Sequence, residues 1–186
     1  MGLSGLDVVL NDEQRAMVET ARKFAREVMR PAGRVLDKLD PENVIKRDSE
    51  LWQVYRKYHQ LGFHKLIIPK ALGGLEVDPL SWTLIVEQLG YGDAGLCESL
   101  ACSLVPFLLT AAFGDTEMHS FVKAYCDDTE AKMVGCFAFT EPDHGSDWVL
   151  AAEPGMEAPK LAPNVKAVKK GSEYIINGQK SAFISN

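Results

Sequence analysis

Residues 136–147 read Cys136-Phe137-Ala138-Phe139-Thr140-Glu141-Pro142-Asp143-His144-Gly145-Ser146-Asp147. An apolar run, Met133, Val134, Cys136, Phe137, Ala138 and Phe139, leads into this stretch and predicts a short buried strand. The strand is expected to end at Thr140, because Pro142 cannot donate to a ladder and Gly145-Ser146 turns the backbone. A strand end of this kind exposes backbone amides and two hydroxyls, those of Thr140 and Ser146. Such donors suit the polar edge of a flat heteroaromatic ring and a phosphate-bearing group. The same stretch also suits a plain strand-to-loop turn with an Asp cap, and on these residues alone both readings stand.

Everything before it reads as helix. Asn11 caps a helix whose third position is Gln14, close to a capping box, and Met17, Val18, Ala21, Phe24, Ala25 and Val28 form its apolar stripe. Pro31 and Gly33 are expected to end that helix. Asp48 or Ser49 starts a second, carrying Leu51, Trp52, Val54, Tyr55, Tyr58 and Leu61, with Gly62 as its carboxy-terminal cap. The composition of 63–75, with Ile67, Ile68, Pro69, Gly73 and Gly74, fits a loop whose backbone approaches something closely. Asp78-Pro79 is a strong helix start, and that helix is expected to reach Gly90. Two more follow, about 94–113 and 116–126, the latter behind the turn and cap signal of Gly114-Asp115.

After it, the pattern changes period. Residues 164–170 and 173–176 read as strands around Gly171, and Asn177-Gly178 is the strongest short hairpin signal in the chain. A further strand is expected from Gln179. Between the two regions, 151–163 with Pro154, Gly155, Pro159 and Pro163 reads as a surface loop. Helices followed by strands define an α+β chain: an all-α bundle over 1–130, then the opening strands of a β-barrel or sandwich domain over 131–186. A few strands alone leave open edges, so the β unit is expected to be completed by further chain or by a partner.

Composition narrows the chemistry. With 186 residues, 46% hydrophobic and 25% charged, the chain has an ordinary globular make-up, and its formal charge of −6 gives no electrostatic case for nucleic acid. The local gathering of Lys166, Lys169, Lys170 and Lys180 reads as a solvated hairpin face. Cys97, Cys102, Cys126 and Cys136 form no Cys-x-x-Cys pair and read as buried free thiols. His59, His64, His119 and His144 lack metal-ligand spacing, so no metal site is expected. Residues 1–10 have neither signal-peptide nor transit-peptide character, which points to the cytoplasm. Ala94–Phe113 is apolar enough to test as a membrane span. Glu98 and Pro106 argue instead for a helix buried on most sides in a bundle.

Three blocks together resemble the acyl-CoA dehydrogenase family. Thr140-Glu141-Pro142, followed by Gly145-Ser146-Asp147 with aromatics before it, is similar to that family's flavin-binding signature. Asn177-Gly178-Gln179-Lys180-Ser181-Ala182-Phe183-Ile184-Ser185-Asn186 resembles its Asn-Gly-x-Lys hairpin block. The loop 62–74 with Ile68-Pro69 and Gly73-Gly74 is similar to the one after its second helix. The resemblance spans essentially the whole chain and implies FAD as cofactor. It implies that Phe137, Phe139 and Thr140 line the flavin, and that Gly145 and Ser146 border the cofactor phosphates, with Ser146 also beside the acyl-CoA substrate. Phe183, Ile184 and Ser185 would press on the ring from the other side. Departures exist: Phe183 stands where many members carry Trp, His144 replaces a small residue, and the loop 148–163 with Trp148 is longer than usual.

The implied reaction is α,β-desaturation of an acyl-CoA thioester, part of fatty acid metabolism, with hydride passing to flavin and a carboxylate removing the neighbouring proton. In the family that base comes from a carboxy-terminal helical domain, which nothing in this chain matches, so no catalytic residue is assigned. Glu87, Glu98 and Glu141 do not occupy its position. The resemblance further implies an electron-transfer flavoprotein or similar acceptor, and a homo-oligomer (dimer or tetramer) or heteromer. Two alternatives accompany it: an oxygen-using acyl-CoA oxidase or flavin monooxygenase of the same fold, and a non-catalytic helical interaction subunit that has lost its cofactor.

Overall fold

The computed structural model describes residues 9–145 and 163–181. The chain divides into two compact units, Met1–Gly135 and Cys136–Asn186.

The first unit is a helical bundle. Helix α1 (Asp12–Phe24) opens on the expected capping box: the Asn11 side chain accepts from Gln14 N–H at 2.8 Å, and the Gln14 side chain accepts from Asn11 N–H at 3.1 Å. Neither Pro31 nor Gly33 ends it. A π-helical turn (Ala25–Met29) intervenes and α2 (Arg30–Leu36) continues the rod. The Arg30 N–H reaches back five residues to the Ala25 carbonyl. That register shift places proline in the first turn of a fresh α-segment, where a missing N–H is tolerated. Gly33 lies within α2, and glycine is needed there because a Cβ would sit 2.0 Å from the Asp93 carboxylate.

A single turn, α3 (Pro41–Val44), precedes α4 (Glu50–Gln60), which Ser49 caps through Leu51 N–H at 3.2 Å. Gly62 follows α4 with φ of 74°, the left-handed stop its position predicts. Helices α5 (Pro79–Gly92), α6 (Ala94–Phe113) and α7 (Thr116–Asp127) complete the bundle, each with an aspartate N-cap: Asp78, Asp93 and Asp115. Helix α1 packs on α5, α5 on α6, and α6 on α7. The main core joins Phe24, Met29, Val54, Tyr55, Tyr58, Phe63, Leu66, Ile85, Leu89 and Leu100. A smaller one, under α7, joins Ile68, Leu72, Leu104, Phe107, Val122, Tyr125 and Cys126.

Helix α6 is long and apolar enough to cross a bilayer by length and composition. It is buried along one side rather than most: 39% of its apolar window is covered, while Leu109, Phe113 and Glu98 are exposed. The covered side carries Leu96, Leu100, Leu104 and Phe107.

The loop after α4 approaches its own chain. The Gly74 N–H donates to the Pro69 carbonyl, Leu75 to Lys65, Glu76 to Ile68 and Val77 to Leu66, all at 2.9–3.1 Å. A Cβ on Gly74 would lie 1.8 Å from the Ile68 carbonyl oxygen, so only glycine permits the crossing. Beside it, the rings of His59 and His64 stack at 4.1 Å, with Tyr125 edge-on to both. Both histidines are buried. The Nδ1–H of His59 donates to the Asp128 carbonyl at 2.8 Å, and the Nε2–H of His64 donates to the Cys126 carbonyl at 3.3 Å. The Nδ1 of His64 and the Tyr125 hydroxyl are buried without a hydrogen-bond partner among the described residues.

The second unit carries one antiparallel hairpin, β1 (Lys166–Lys170) with β2 (Glu173–Asn177), in the register Lys166↔Asn177 to Lys170↔Glu173. Two strand expectations are corrected. Residues 133–139 form no strand in the described residues, and three of their backbone donors go to partners outside any ladder. Met133 N–H goes to the Asp128 carboxylate at 2.7 Å, Gly135 N–H to the Ser103 hydroxyl at 3.0 Å, and Phe139 N–H to the Phe137 carbonyl at 2.9 Å. Nor does Asn177-Gly178 make a type I′ turn, since Asn177 does not take positive φ and remains the last residue of β2. The turn expected around Gly171 does form, as a two-residue turn at Gly171-Ser172 with Gly171 at φ of 65°. Gly178 is required for another reason: its Cβ would meet Val165 Cα at 2.5 Å. No strand is formed at 179–181, and the remainder of that expected strand lies outside the described residues.

Candidate functional site

The second unit gathers the signature stretch and the end of the hairpin around one carboxylate. Phe137 and Phe139 are half-buried and stack on each other, centroids 5.2 Å apart and rings 19° from parallel. Thr140 and Gly145 are also half-buried. They come together because Glu141 and His144 pair across Pro142-Asp143, with Glu141 N–H to the His144 carbonyl at 2.9 Å and the reverse bond at 3.2 Å. That tight turn returns the chain so that a Cβ on Gly145 would be 3.9 Å from the Thr140 methyl.

The Glu141 side chain is fully buried. It accepts from the Lys180 ammonium at 2.9 Å, from Asn164 N–H at 2.6 Å and from Val165 N–H at 3.1 Å. Burial pushes its carboxyl pKa up, but the lysine and the two amides outweigh burial and hold it below the usual carboxylate range. A carboxylate so engaged is a structural anchor and has no spare basicity for proton abstraction. Lys180 donates also to the Phe139 carbonyl at 3.1 Å, and Ser181 N–H to the Thr140 carbonyl at 2.9 Å.

The structure therefore brings Phe137, Phe139, Thr140 and Gly145 into one cluster. Ser146, Phe183, Ile184 and Ser185, with Trp148, lie outside the described residues. Sequence reasoning missed the Glu141–Lys180 pair, setting Lys180 with Lys166, Lys169 and Lys170 on a solvated face. Those three are exposed on β1, whereas Lys180 turns inward. No spacing rule links residues 141 and 180; the available signal was that each sits inside a resemblance block. The cysteine expectation is corrected in part: Cys97, Cys102 and Cys126 are buried, but Cys136 is exposed. Among the described residues no group of three or more His, Cys, Asp or Glu side chains is placed to hold a metal ion.

A mostly helical chain with a two-strand hairpin after the helices has its structural neighbours among the acyl-CoA dehydrogenase-fold flavoproteins. The chain superposes on one in the structure of the electron transferring flavoprotein of Acidaminococcus fermentans with TM-score 0.69 and 28% identity, covering 94% of this chain and 40% of that one. It superposes on the nitroalkane oxidase of Podospora anserina with TM-score 0.76 and 21% identity, covering 95% and 39%, a likeness of fold alone.

The model of the acyl-CoA dehydrogenase N-terminal domain matches residues 11–121, and the chain belongs to the acyl-CoA dehydrogenase family. A probable medium-chain specific acyl-CoA dehydrogenase 2, mitochondrial, of Caenorhabditis briggsae is 31% identical over 176 residues, 92% of this chain and 37% of that protein. The chain spans about two fifths of the length of the curated relatives it matches.

Proposed function

We propose that this chain is the flavin-binding amino-terminal portion of an FAD-dependent acyl-CoA dehydrogenase that introduces an α,β double bond into an acyl-CoA thioester. The observation that carries the reading is the cluster of Phe137, Phe139, Thr140 and Gly145, held by the bonds around Glu141, in a chain of this family. The residues fit the cofactor. Two stacked, half-buried rings offer flat apolar surface, and a threonine with a close-packed glycine leaves a small polar neighbour beside it.

Bound there, FAD supplies the hydride acceptor, chemistry no side chain provides. The chain's own part is to bind and orient. Phe137 and Phe139 would face the ring system and exclude water, and Thr140 would present its hydroxyl to the ring's polar edge. Gly145 would allow the phosphates close approach to backbone, with Ser146 contributing to the phosphate and acyl-CoA side. Phe183, Ile184 and Ser185 would close the other side. With Glu141 committed to Lys180, the base is expected from beyond this chain. An electron-transfer flavoprotein or similar carrier would reoxidise the cofactor, and assembly with further copies or a second chain would complete the site.

Anaerobic addition of an acyl-CoA to the flavin-loaded, complete enzyme tests this. Bleaching of the flavin that persists until an electron carrier is added supports the dehydrogenase. Rapid recolouring by oxygen alone would move the reading to an oxidase, and a flavin that no acyl-CoA bleaches would contradict both.

A further inference from the structure

We propose that Glu141 and Lys180 are positioning residues for the flavin-facing segment, tying its backbone to the chain that follows the hairpin. The proposal rests on the flavin reading of residues 137–145. Glu141 lies one residue beyond Thr140, with its side chain 0% exposed, and Lys180 is 27% exposed. Two separated parts of the chain converge on the one carboxylate: Asn164 and Val165 entering β1, and Lys180 after β2.

The same ammonium that pairs with Glu141 donates to the Phe139 carbonyl, and the next residue donates its N–H to the Thr140 carbonyl. The peptide carbonyls of Phe139 and Thr140 are thus both occupied. A peptide plane tied at its carbonyl loses the freedom to rotate, so the backbone from which the Phe139 and Thr140 side chains project keeps one direction. Removing Lys180 would leave a buried carboxylate with two amides and without this counter-charge, which drives it to seek water and loosens the segments of chain around it. Neither residue is a catalytic residue; each acts through Phe139 and Thr140. Arginine keeps the charge and the donors, whereas methionine keeps only the length.

The test uses the whole chain, FAD as probe, and the variants Lys180→Met, Lys180→Arg and Glu141→Gln. Affinity is read from quenching of FAD fluorescence, and geometry from hydrogen exchange at the Val165 and Ser181 amides. The helical circular-dichroism melt of each variant confirms a folded bundle. Lys180→Met is expected to unprotect both amides, shift the bound flavin's visible band and weaken FAD by about tenfold or more. Lys180→Arg restores protection and most of the affinity, and Glu141→Gln falls between them. A wild-type chain that binds FAD while Lys180→Met binds it equally well overturns the positioning role and leaves the flavin reading intact. A wild-type chain that takes up no FAD overturns the flavin reading, and the positioning role falls with it.

Discussion

Replacing His64 by phenylalanine removes one of two stacked, buried histidines and makes a quantitative statement about acid stability. Burial, then the neighbouring His59 ring, push the His64 pKa down from 6.5 to about 4. Burial lowers His59 as well, partly offset by Asp128. Besides these two, Lys65, Asp128, Cys126 and Tyr125 surround the pair. Because the folded-state value is depressed, the unfolded chain binds the extra proton between the two values. The stabilising contribution is therefore complete above pH 6.5 and is lost as pH falls towards 4. Integrated from pH 6.5 to about pH 4.5, His64 alone removes about 2 kcal/mol.

Phenylalanine keeps the ring stack, and the Cys126 carbonyl keeps the Lys65 ammonium at 2.9 Å, so at neutral pH the variant should lie within about 1 kcal/mol of wild type. Urea unfolding followed by far-UV circular dichroism at a series of pH values gives both curves. Carboxylates away from the pair titrate alike in the two proteins, and Asp128 is the one coupled to His64, so the difference is dominated by the histidine. The variant should lose about 2 kcal/mol less than wild type across that range. Parallel curves would refute the argument, since they would mean that His64 titrates alike in the folded and unfolded chain.

Gly74→Ala forces a Cβ to 1.8 Å from the Ile68 carbonyl oxygen and should cost about 3 kcal/mol in urea unfolding. Gly90→Ala in α5 meets nothing within 4 Å and should instead stabilise by about 0.5–1 kcal/mol; equal effects would contradict the packing argument. Of the four cysteines, the exposed Cys136 should react at once with a thiol-disulfide reagent in the native protein. Cys97, Cys102 and Cys126 are buried, and burial raises their pKa, to about 11 for the last two, so they should react only on unfolding. A second fast thiol would show that the bundle is more open than described.

Local signals carried the helical half. The Asn11 capping box, the Asp78-Pro79 start and the Gly62 stop each depend on residues within one turn, and each forms as its spacing predicts. What failed depended on partners distant in sequence. The apolar run at 133–139 looked like a strand, yet its amides are met by Asp128, Ser103 and Phe137, and no described strand pairs with it. Proline and glycine at 31 and 33 read as a stop because a π-helical register shift leaves no composition signal. Asn177-Gly178 had the dipeptide of a hairpin, but pairing with Lys166 holds Asn177 in the strand. In the site, Phe137, Phe139, Thr140 and Gly145 were singled out through their resemblance block; the structure stacks the two rings and sets Gly145 beside Thr140, and their contact with flavin is what we propose. The Glu141–Lys180 tie joins residues 39 apart and becomes visible only when the hairpin brings them together.

The central claim is that this family member holds a flavin through the segment around Thr140. Its most direct test is the visible absorption spectrum of the purified protein, taken as isolated and after incubation with FAD and removal of the excess. A retained flavin band, weakened by a substitution such as Thr140→Val that leaves the helical melt unchanged, is the predicted result. A colourless protein under both conditions, with the bundle folded, would contradict the account.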